Sequence, residues 1–238
     1  MSADPSSPAH IHGALWRASQ LSSSRGQYAD TGFARLSAEL PGGGWPLGNL
    51  IEVLVQQPGM GEMQLLRPVL RRLSERSVML VQPPHLPQTA AWAGWDCPPS
   101  CLIWVHAEHS ADALWAADQV VRSGTFGAVL LWQDRIRSQS LRRLHLSAQE
   151  GDTLFVLIRP TIAADQASPS PLRLAVQPTP QGLSISILKR RGPTHAGPLI
   201  LPLYPDSDFR FSEFDHAIVD RRASVAREPG HSLSELAH

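Results

Sequence analysis

Short, almost continuous apolar runs alternate along this chain with segments of helical periodicity, and this alternation constrains the fold more than any other feature. Runs that are apolar on both faces are typical of parallel strands covered by helices on each side. The strand candidates lie at 50–55, 78–82, 101–106, 128–132 and 153–158. The helical patterns lie at 63–75, 111–124 and 139–151. We therefore expect an α/β fold with a mostly parallel sheet and helices on both faces.

The two ends of this pattern carry further local signals. Two later runs, 172–178 and 183–191, are joined by the turn-forming residues TPQG, which predicts an antiparallel pair at the sheet edge near the C-terminus. The apolar spacing of Phe33, Leu36 and Leu40 predicts a helix that stops at Pro41. The expected parts of the chain are an N-terminal arm with a short helix at 1–29, a core domain at 30–205 and a mobile C-terminal tail at 206–238.

Charge is balanced in this chain, with 21 Lys and Arg residues against 21 Asp and Glu residues, so no overall basic field predicts nucleic-acid binding. Any contact with DNA would have to use a local patch. The candidates are Arg135, Arg137, Arg142 and Arg143, which follow the run at 128–132. A solvated helix face explains the same arginines, and the sequence leaves direct DNA contact open.

The two cysteines, Cys97 and Cys101, are too few for a disulfide framework, and no apolar stretch approaches the roughly 20 residues of a membrane helix. We therefore expect a cytoplasmic protein without membrane contact. The thiols lie near His106 and His109, but their spacing matches no common zinc motif. Burial as small apolar side chains is the more ordinary role of cysteine, and we expect no bound metal.

A turn with two glycines separates the first strand candidate from the first helical pattern, in the sequence QQPGMGEM at 56–63. A phosphate-binding loop at such a place reads GxxxxGK[ST], because its lysine neutralises phosphate charge and its hydroxyl binds magnesium. Here Glu62 stands at the lysine position and Met63 at the hydroxyl position, and Lys189 is the only lysine of the chain. We expect Gly59 and Gly61 to form a strand-to-helix turn that binds no nucleotide cofactor.

No GxSxG turn and no pair of carboxylates with catalytic spacing occurs, so no catalytic residue is predicted.

Aromatic residues indicate both a core and a docking segment. Five tryptophans are expected to pack in the core: Trp92, Trp95, Trp104, Trp115 and Trp132. In the tail, Phe209, Phe211 and Phe214 stand among acidic residues, which suits docking on a partner or folding back on the chain's own domain.

Two long segments carry a resemblance to a known family. They are GFARLSAELPGGGWPLG at 32–48 and ILKRRGPTHAGPLILPL at 187–203, with RSGTFGAVLLW at 122–132 between them. On these segments and the altered glycine turn, the chain resembles the core of the RecA recombinase over roughly residues 30 to 200. It is more closely similar to the ImuA family of RecA-related accessory proteins in translesion synthesis, and more remotely to the division inhibitor SulA.

The resemblance also implies losses in the recombinase's ATPase residues. The magnesium-associated aspartate falls on Trp132, although a shift in register would bring Asp134 there. The glutamate that activates water falls near Pro83 or Pro84. Since hydrolysis needs these groups together with the lysine and hydroxyl, the resemblance implies a pseudo-ATPase.

The partners implied by the resemblance are an ImuB-like relative of Y-family polymerases, an error-prone replicative-type DNA polymerase and RecA itself. Lys189 and Arg191 fall where the recombinase filament places basic residues against the neighbouring subunit, so Lys189, Arg190 and Arg191 are candidates for partner binding. The segment 160–171 matches a DNA-binding loop of the recombinase but carries no base beyond Arg159 just before it. Two alternatives remain: an inhibitor of cell division that binds FtsZ, and a weak ATPase or recombinase.

Overall fold

The computed structural model describes residues 27–192 and 197–203 of the 238-residue chain. The predicted helix of the N-terminal arm lies outside the described residues, and so do Phe209, Phe211 and Phe214 of the tail. The division of the chain into arm, core and tail therefore stays a prediction.

A large, mostly parallel sheet forms the centre of the described chain, as the alternating pattern predicts. Two short strands, β1 (Tyr28–Asp30) and β2 (Gly44–Pro46), form a separate antiparallel pair. The large sheet contains β3 (Asn49–Val55), β4 (Val78–Val81), β5 (Leu102–Val105), β6 (Ala128–Trp132), β7 (Leu154–Pro160), β8 (Leu172–Thr179), β9 (Gly182–Lys189) and β10 (Leu199–Leu201). Their order is β10-β9-β8-β3-β7-β6-β4-β5, and the six strands from β8 to β5 run parallel.

Within the described ranges 27–192 and 197–203, five helices connect and cover these strands. They are α1 (Ala34–Glu39), α2 (Glu62–Leu73), α3 (Thr89–Ala93), α4 (Ser110–Ser123) and α5 (Ser138–Ala148). Three 3-10 turns lie at Pro41–Gly43, Pro99–Cys101 and Thr161–Asp165. All three long helical patterns of the sequence became helices, because each presents apolar residues at the spacing that one helix face requires.

Strand β3 shows why the sheet needs cover on both sides. Side chains alternate across a strand, so Ile51 and Val53 face one apolar cluster while Leu50 faces the other. The first cluster includes side chains of α1, α2 and α3, and the second includes side chains of α4 and α5. The near-continuous apolar run at 50–55 is therefore buried on both faces, as expected for a central parallel strand.

The C-terminal strands differ in one respect from the sequence prediction. β8 and β9 form the expected antiparallel pair, but β9 is not the edge of the sheet. β10 pairs antiparallel with β9, so that Leu199 faces Ile185 and Leu201 faces Leu183. This strand has only three residues, which is too short for its apolar alternation to be recognised in the sequence.

The tryptophans divide between the core and the surface. Trp92 and Trp132 are buried as expected, and Trp95 is partly buried against the same cluster. The prediction is wrong for Trp104, which is 48% exposed, and for Trp115, which is 60% exposed. Trp104 lies on β5, the last strand of the sheet, and Trp115 lies on α4 between Ala113 and Ala117, which face the core.

Replacement of Gly182 by alanine tests the pairing of β9 with β10. Gly182 has a φ of 131°, and a Cβ atom there would lie 2.1 Å from the carbonyl oxygen of Leu201. We expect Gly182→Ala to lower the free energy of unfolding by about 2–4 kcal/mol in urea denaturation, because the new methyl group pushes β10 away. Gly94→Ala is the control, since its Cβ would meet no atom closer than 3.4 Å. Equal stability of the two variants would contradict the pairing.

Candidate functional site

The turn between β3 and α2 uses two glycines with positive φ angles. Gly59 has a φ of 89° and Gly61 a φ of 112°, and both values lie in the left-handed region that favours glycine. Gly61 precedes the first residue of α2, and a Cβ atom on it would lie 2.4 Å from Cδ2 of Leu183 on β9. The turn is therefore packed against the antiparallel part of the sheet.

Glu62 is folded into this turn. Its side chain is almost completely buried, with 1% of the residue exposed, and its Oε1 accepts a hydrogen bond of 2.6 Å from the backbone N–H of Gly59. Its other oxygen, Oε2, has no hydrogen-bond partner among the described residues. Backbone N–H groups near the start of a helix attract anions, and here the N–H of Gly59, in the turn before α2, is bonded to the chain's own carboxylate.

A cavity of about 500 Å³ opens beside this turn, at the carboxyl edge of the parallel strands. Ligands of open α/β sheets bind at this edge, because the loops that follow neighbouring strands meet there. The lining residues come from the ends of β3, β4, β6 and β7, from the residues that follow these strands, and from the first residue of α4. They are Val55, Pro58, Gln82, Pro84, Ser110, Trp132, Gln133, Asp134, Arg135, Ile158, Arg159 and Pro160. The structure thus brings together Pro84, Trp132 and Asp134, three positions that the sequence analysis considered separately.

A buried group of charges lies in the sheet next to the cavity. Glu52 in the middle of β3 is fully buried, and its Oε2 accepts a 2.6 Å bond from Nε of Arg173 on β8. Arg159 at the end of β7 is also buried, and its Nη1 lies 3.5 Å from Oε1 of Glu52. A buried carboxylate requires such pairing, since an isolated charge in the core would be strongly destabilising.

The segment 161–171 covers this charge group. Its backbone carbonyls at Ala163 and Ala164 accept bonds from Arg173, and Ser168 Oγ donates a 2.9 Å bond to Glu52. Ser170 Oγ lies 2.8 Å from the carbonyl oxygen of Leu50. The stretch that matches a DNA-binding loop by resemblance is thus tied down on the sheet, and the nearby base, Arg159, is buried in its charge group.

The sequence analysis missed this charge group, although a signal was present. Glu52 interrupts the apolar run LIEVLV, and Arg173 interrupts LRLAV. A charged residue inside a strand that is buried on both faces needs an opposite charge close by. The sequence alone could not say which charge, because the pairing depends on the strand order β8-β3-β7.

The four arginines proposed as a DNA patch are exposed, but they do not all line the cavity. Arg135, Arg137, Arg142 and Arg143 are all on the surface, and of these Arg135 lines the cavity. Arg143 lies 3.6 Å from the buried carboxylate of Asp118 on α4. Arg142 and Arg143 thus lie on an exposed face of α5, Arg135 and Arg137 precede that helix, and the DNA patch stays a prediction.

The basic residues at and after the end of β9 contact different parts of the chain. Lys189 donates a 2.8 Å bond from Nζ to the carbonyl oxygen of Ser168, and Arg190 bonds to Glu39 on α1 with a distance of 3.0 Å to its carboxylate. Burial and the charges of Arg191 and Lys189 lower the pKa of His145 on α5. The role of Lys189, Arg190 and Arg191 in partner binding stays a prediction.

Cys97 and Cys101 form no metal-ligating group with His106 and His109. Cys97 and Cys101 are buried in the first apolar cluster, and burial raises the pKa of both thiols. His106 and His109 are exposed. Across 27–192 and 197–203, no group of three or more metal-ligating side chains occurs. No helix within these ranges is long and apolar enough to span a membrane.

Comparison with known proteins gives a distant similarity to SulA. No protein-family profile matches the chain. The cell division inhibitor SulA of Edwardsiella piscicida is 27% identical over 113 residues, which are 44% of this chain and 67% of that protein. The crystal structure of SulA from Pseudomonas aeruginosa has a TM-score of 0.39 and 25% identity, and it covers 47% of this chain and 97% of that one. The sequence match is weak homology to SulA and agrees with a RecA/SulA-related superfamily, without identifying the ImuA family.

Replacement of Glu62 by alanine tests whether its carboxylate holds the glycine turn. We expect Glu62→Ala to lower the free energy of unfolding by about 1–2 kcal/mol, because the Gly59 N–H loses its acceptor at the start of α2. Glu62→Gln keeps an acceptor oxygen and should lose less. Glu75→Ala removes an exposed carboxylate just after α2 and serves as the control. Urea denaturation measures all three, and an unchanged Glu62→Ala protein would show that the carboxylate does not stabilise the turn.

Proposed function

We propose that this protein is a non-catalytic, RecA/SulA-related factor of the DNA-damage response that acts by binding other proteins. The observation that carries the proposal is the buried carboxylate of Glu62 in the turn between β3 and α2. A nucleotide phosphate at this place would meet a negative charge instead of a lysine. The weak homology to SulA supports the connection to the damage response.

The cavity next to the turn also lacks the groups of an ATPase. Pro84 and Trp132 line it at the positions that, by resemblance to RecA, would carry a water-activating glutamate and a magnesium-associated aspartate. Neither side chain can bind a metal ion or accept a proton. Asp134 and Arg135 lie in the same lining, but two such groups without lysine and hydroxyl leave phosphoryl transfer without its main stabilising charges.

A SulA-like inhibitor of cell division is the function that the sequence comparison supports more directly. The matched relative is named as a cell division inhibitor, and the match covers 67% of its length. Under this proposal the partner of the chain would be FtsZ. The match includes only 44% of this chain, so more than half of the residues would need a further role.

A polymerase accessory in error-prone translesion synthesis is the second candidate, and a specific contact favours it. The two segments that resemble the ImuA family, 32–48 and 187–203, meet in the structure. Arg35 on α1 donates a 3.1 Å bond to the carbonyl oxygen of Ile200 on β10, and Arg190 pairs with Glu39. Segments separated by about 150 residues thus form one unit. The partners would be an ImuB-like polymerase relative, an error-prone replicative-type polymerase and RecA.

Titration with ATP and magnesium tests the non-catalytic part of the proposal. We expect the full-length protein to show no saturable heat in calorimetry up to millimolar ATP, because lysine, hydroxyl and magnesium ligand are all replaced. Glu62→Ala should behave in the same way, since removal of the carboxylate restores none of these groups. A purified RecA protein measured alongside provides the positive control. Saturable micromolar binding by the wild-type chain would contradict the proposal.

Co-purification from DNA-damaged cells, read by mass spectrometry, separates the two partner hypotheses. Recovery of FtsZ supports the division inhibitor, and recovery of a Y-family polymerase relative or RecA supports the accessory. With the recovered partner, we expect Lys189→Glu with Arg191→Glu to weaken binding at least about tenfold, because the charge at one surface is reversed. The circular dichroism melt should stay nearly unchanged.

The control for this experiment is Arg135→Glu with Arg137→Glu, which makes the same change of charge at the other basic cluster. If this control loses the partner and the variant at 189 and 191 keeps it, the interface lies near the carboxyl edge instead. If neither FtsZ nor any replication or recombination protein is recovered, both partner hypotheses fail.

A further inference from the structure

Two of the residues that line the 500 Å³ cavity hold buried hydrogen-bond donors without an acceptor. These donors are Nε of Arg159 and Nε1 of Trp132, and neither has a partner among the described residues. Buried donors are almost always paired in folded proteins, because a missing acceptor leaves the full cost of desolvation. Two unpaired donors on residues that line one cavity point to an acceptor that arrives from outside the chain, since the other guanidinium nitrogens of Arg159 already contact Gln166 and Glu52.

The charge group beside the cavity also favours a negatively charged ligand. Glu52 carries one negative charge and faces two buried arginines, so the described group of three has one positive charge in excess. Arg173 takes the shorter contact with Glu52, at 2.6 Å, while Arg159 is 3.5 Å away and 1% of its side chain is exposed. Burial, opposed by Glu52 and reinforced by the charge of Arg173, lowers the pKa of Arg159.

The rest of the lining does not remove this excess. Arg135 and Asp134 contribute one charge of each sign, so they cancel. The side-chain amides have donors engaged within the chain: Gln82 Nε2 bonds to the carbonyl oxygen of Ala107, and Gln133 Nε2 lies 3.0 Å from both Ser110 Oγ and the carbonyl oxygen of Arg135. The cavity and its charge group therefore offer unpaired donors and a single net positive charge.

We propose that this cavity binds a carboxylate group, with Arg159 supplying the charge and Trp132 a second donor. A carboxylate has one negative charge and accepts hydrogen bonds from a guanidinium in a favoured planar geometry. A phosphate would bring up to two charges to a site that offers one and that also contains Asp134. The carboxylate could belong to a small free acid or to an aspartate or glutamate side chain of a bound protein. The proposal does not rest on either of the two partner hypotheses.

Side-chain NMR of the ¹⁵N-labelled full-length protein tests the proposal. The probes are sodium acetate, sodium succinate and N-acetyl-glutamic acid α-methylamide, which imitates a glutamate side chain in a peptide. Sodium chloride at equal ionic strength is the reference, and inorganic phosphate is the competing anion. We expect saturable shifts of the Trp132 indole N–H and the Arg159 Nε–H signals, assigned through Trp132→Phe and Arg159→Met, because both donors gain an acceptor.

Arg159→Met removes the excess charge and leaves Glu52 paired with Arg173. In chloride this variant should melt no lower than the wild-type protein, and its affinity for the carboxylate probes should fall at least about tenfold. Arg142→Met makes the same chemical change on the exposed face of α5 and should keep the full response. Trp132→Phe provides a second test that does not alter the charge group, and it should bind the probes several-fold more weakly through the Arg159 signal.

Three outcomes would overturn the proposal. They are the absence of a saturable shift with any carboxylate, an equal response in Arg159→Met and Arg142→Met, and a response that depends on Arg159 but occurs with phosphate alone. Among supporting outcomes, tighter binding of the blocked glutamate than of acetate identifies a side chain of a partner as the source. Tighter binding of succinate identifies a free acid.

Discussion

The charge of Glu52 is the constraint on which the centre of this structure depends. Glu52 lies in the middle of β3, between β7 and β8, where no water can solvate its carboxylate. Arginines from both neighbouring strands approach it, and the segment 161–171 closes over them with two backbone carbonyls and the hydroxyl of Ser168. Another strand order or loop path would remove at least some of these partners from the buried carboxylate. The charges of Glu52, Arg159 and Arg173 thus favour this order of strands, and the apolar clusters stabilise it.

The glycine turn at the carboxyl edge also contains a buried polar group that needs a partner. A strand followed by a helix presents N–H groups that attract an anion, and many proteins of this architecture use them to bind phosphate. In this chain the carboxylate of Glu62 bonds to the N–H of Gly59 in that turn, so this N–H is paired without a ligand. The adjoining cavity remains open, with Trp132 and Arg159 in its wall. Under the proposed function, the turn binds no nucleotide and the neighbouring cavity is available for contacts with other molecules.

The unit formed by α1, β10 and the end of β9 connects the two most specific segments of the sequence. Arg35 and Arg190 link residues that are far apart in the chain, and both bonds engage groups at the surface of the sheet's antiparallel end. This end lies opposite β5, whose Trp104 is exposed. The sheet therefore has one end built from distant parts of the chain and one end with an exposed aromatic side chain.

The sequence by itself determined the α/β class, the strands from β3 to β9, the three long helices and the place of the glycine turn, because these follow from apolar periodicity and from local turn chemistry. It also aligned Glu62 with the position where a phosphate-binding loop carries lysine, but only the tertiary structure placed its carboxylate on Gly59. Strand order decided the rest: it buried Arg159 and Arg173 around Glu52, added β10 beyond β9 and left Trp104 at an exposed edge. These features depend on contacts between residues that are distant in the chain, and such contacts leave no periodic signal in the sequence.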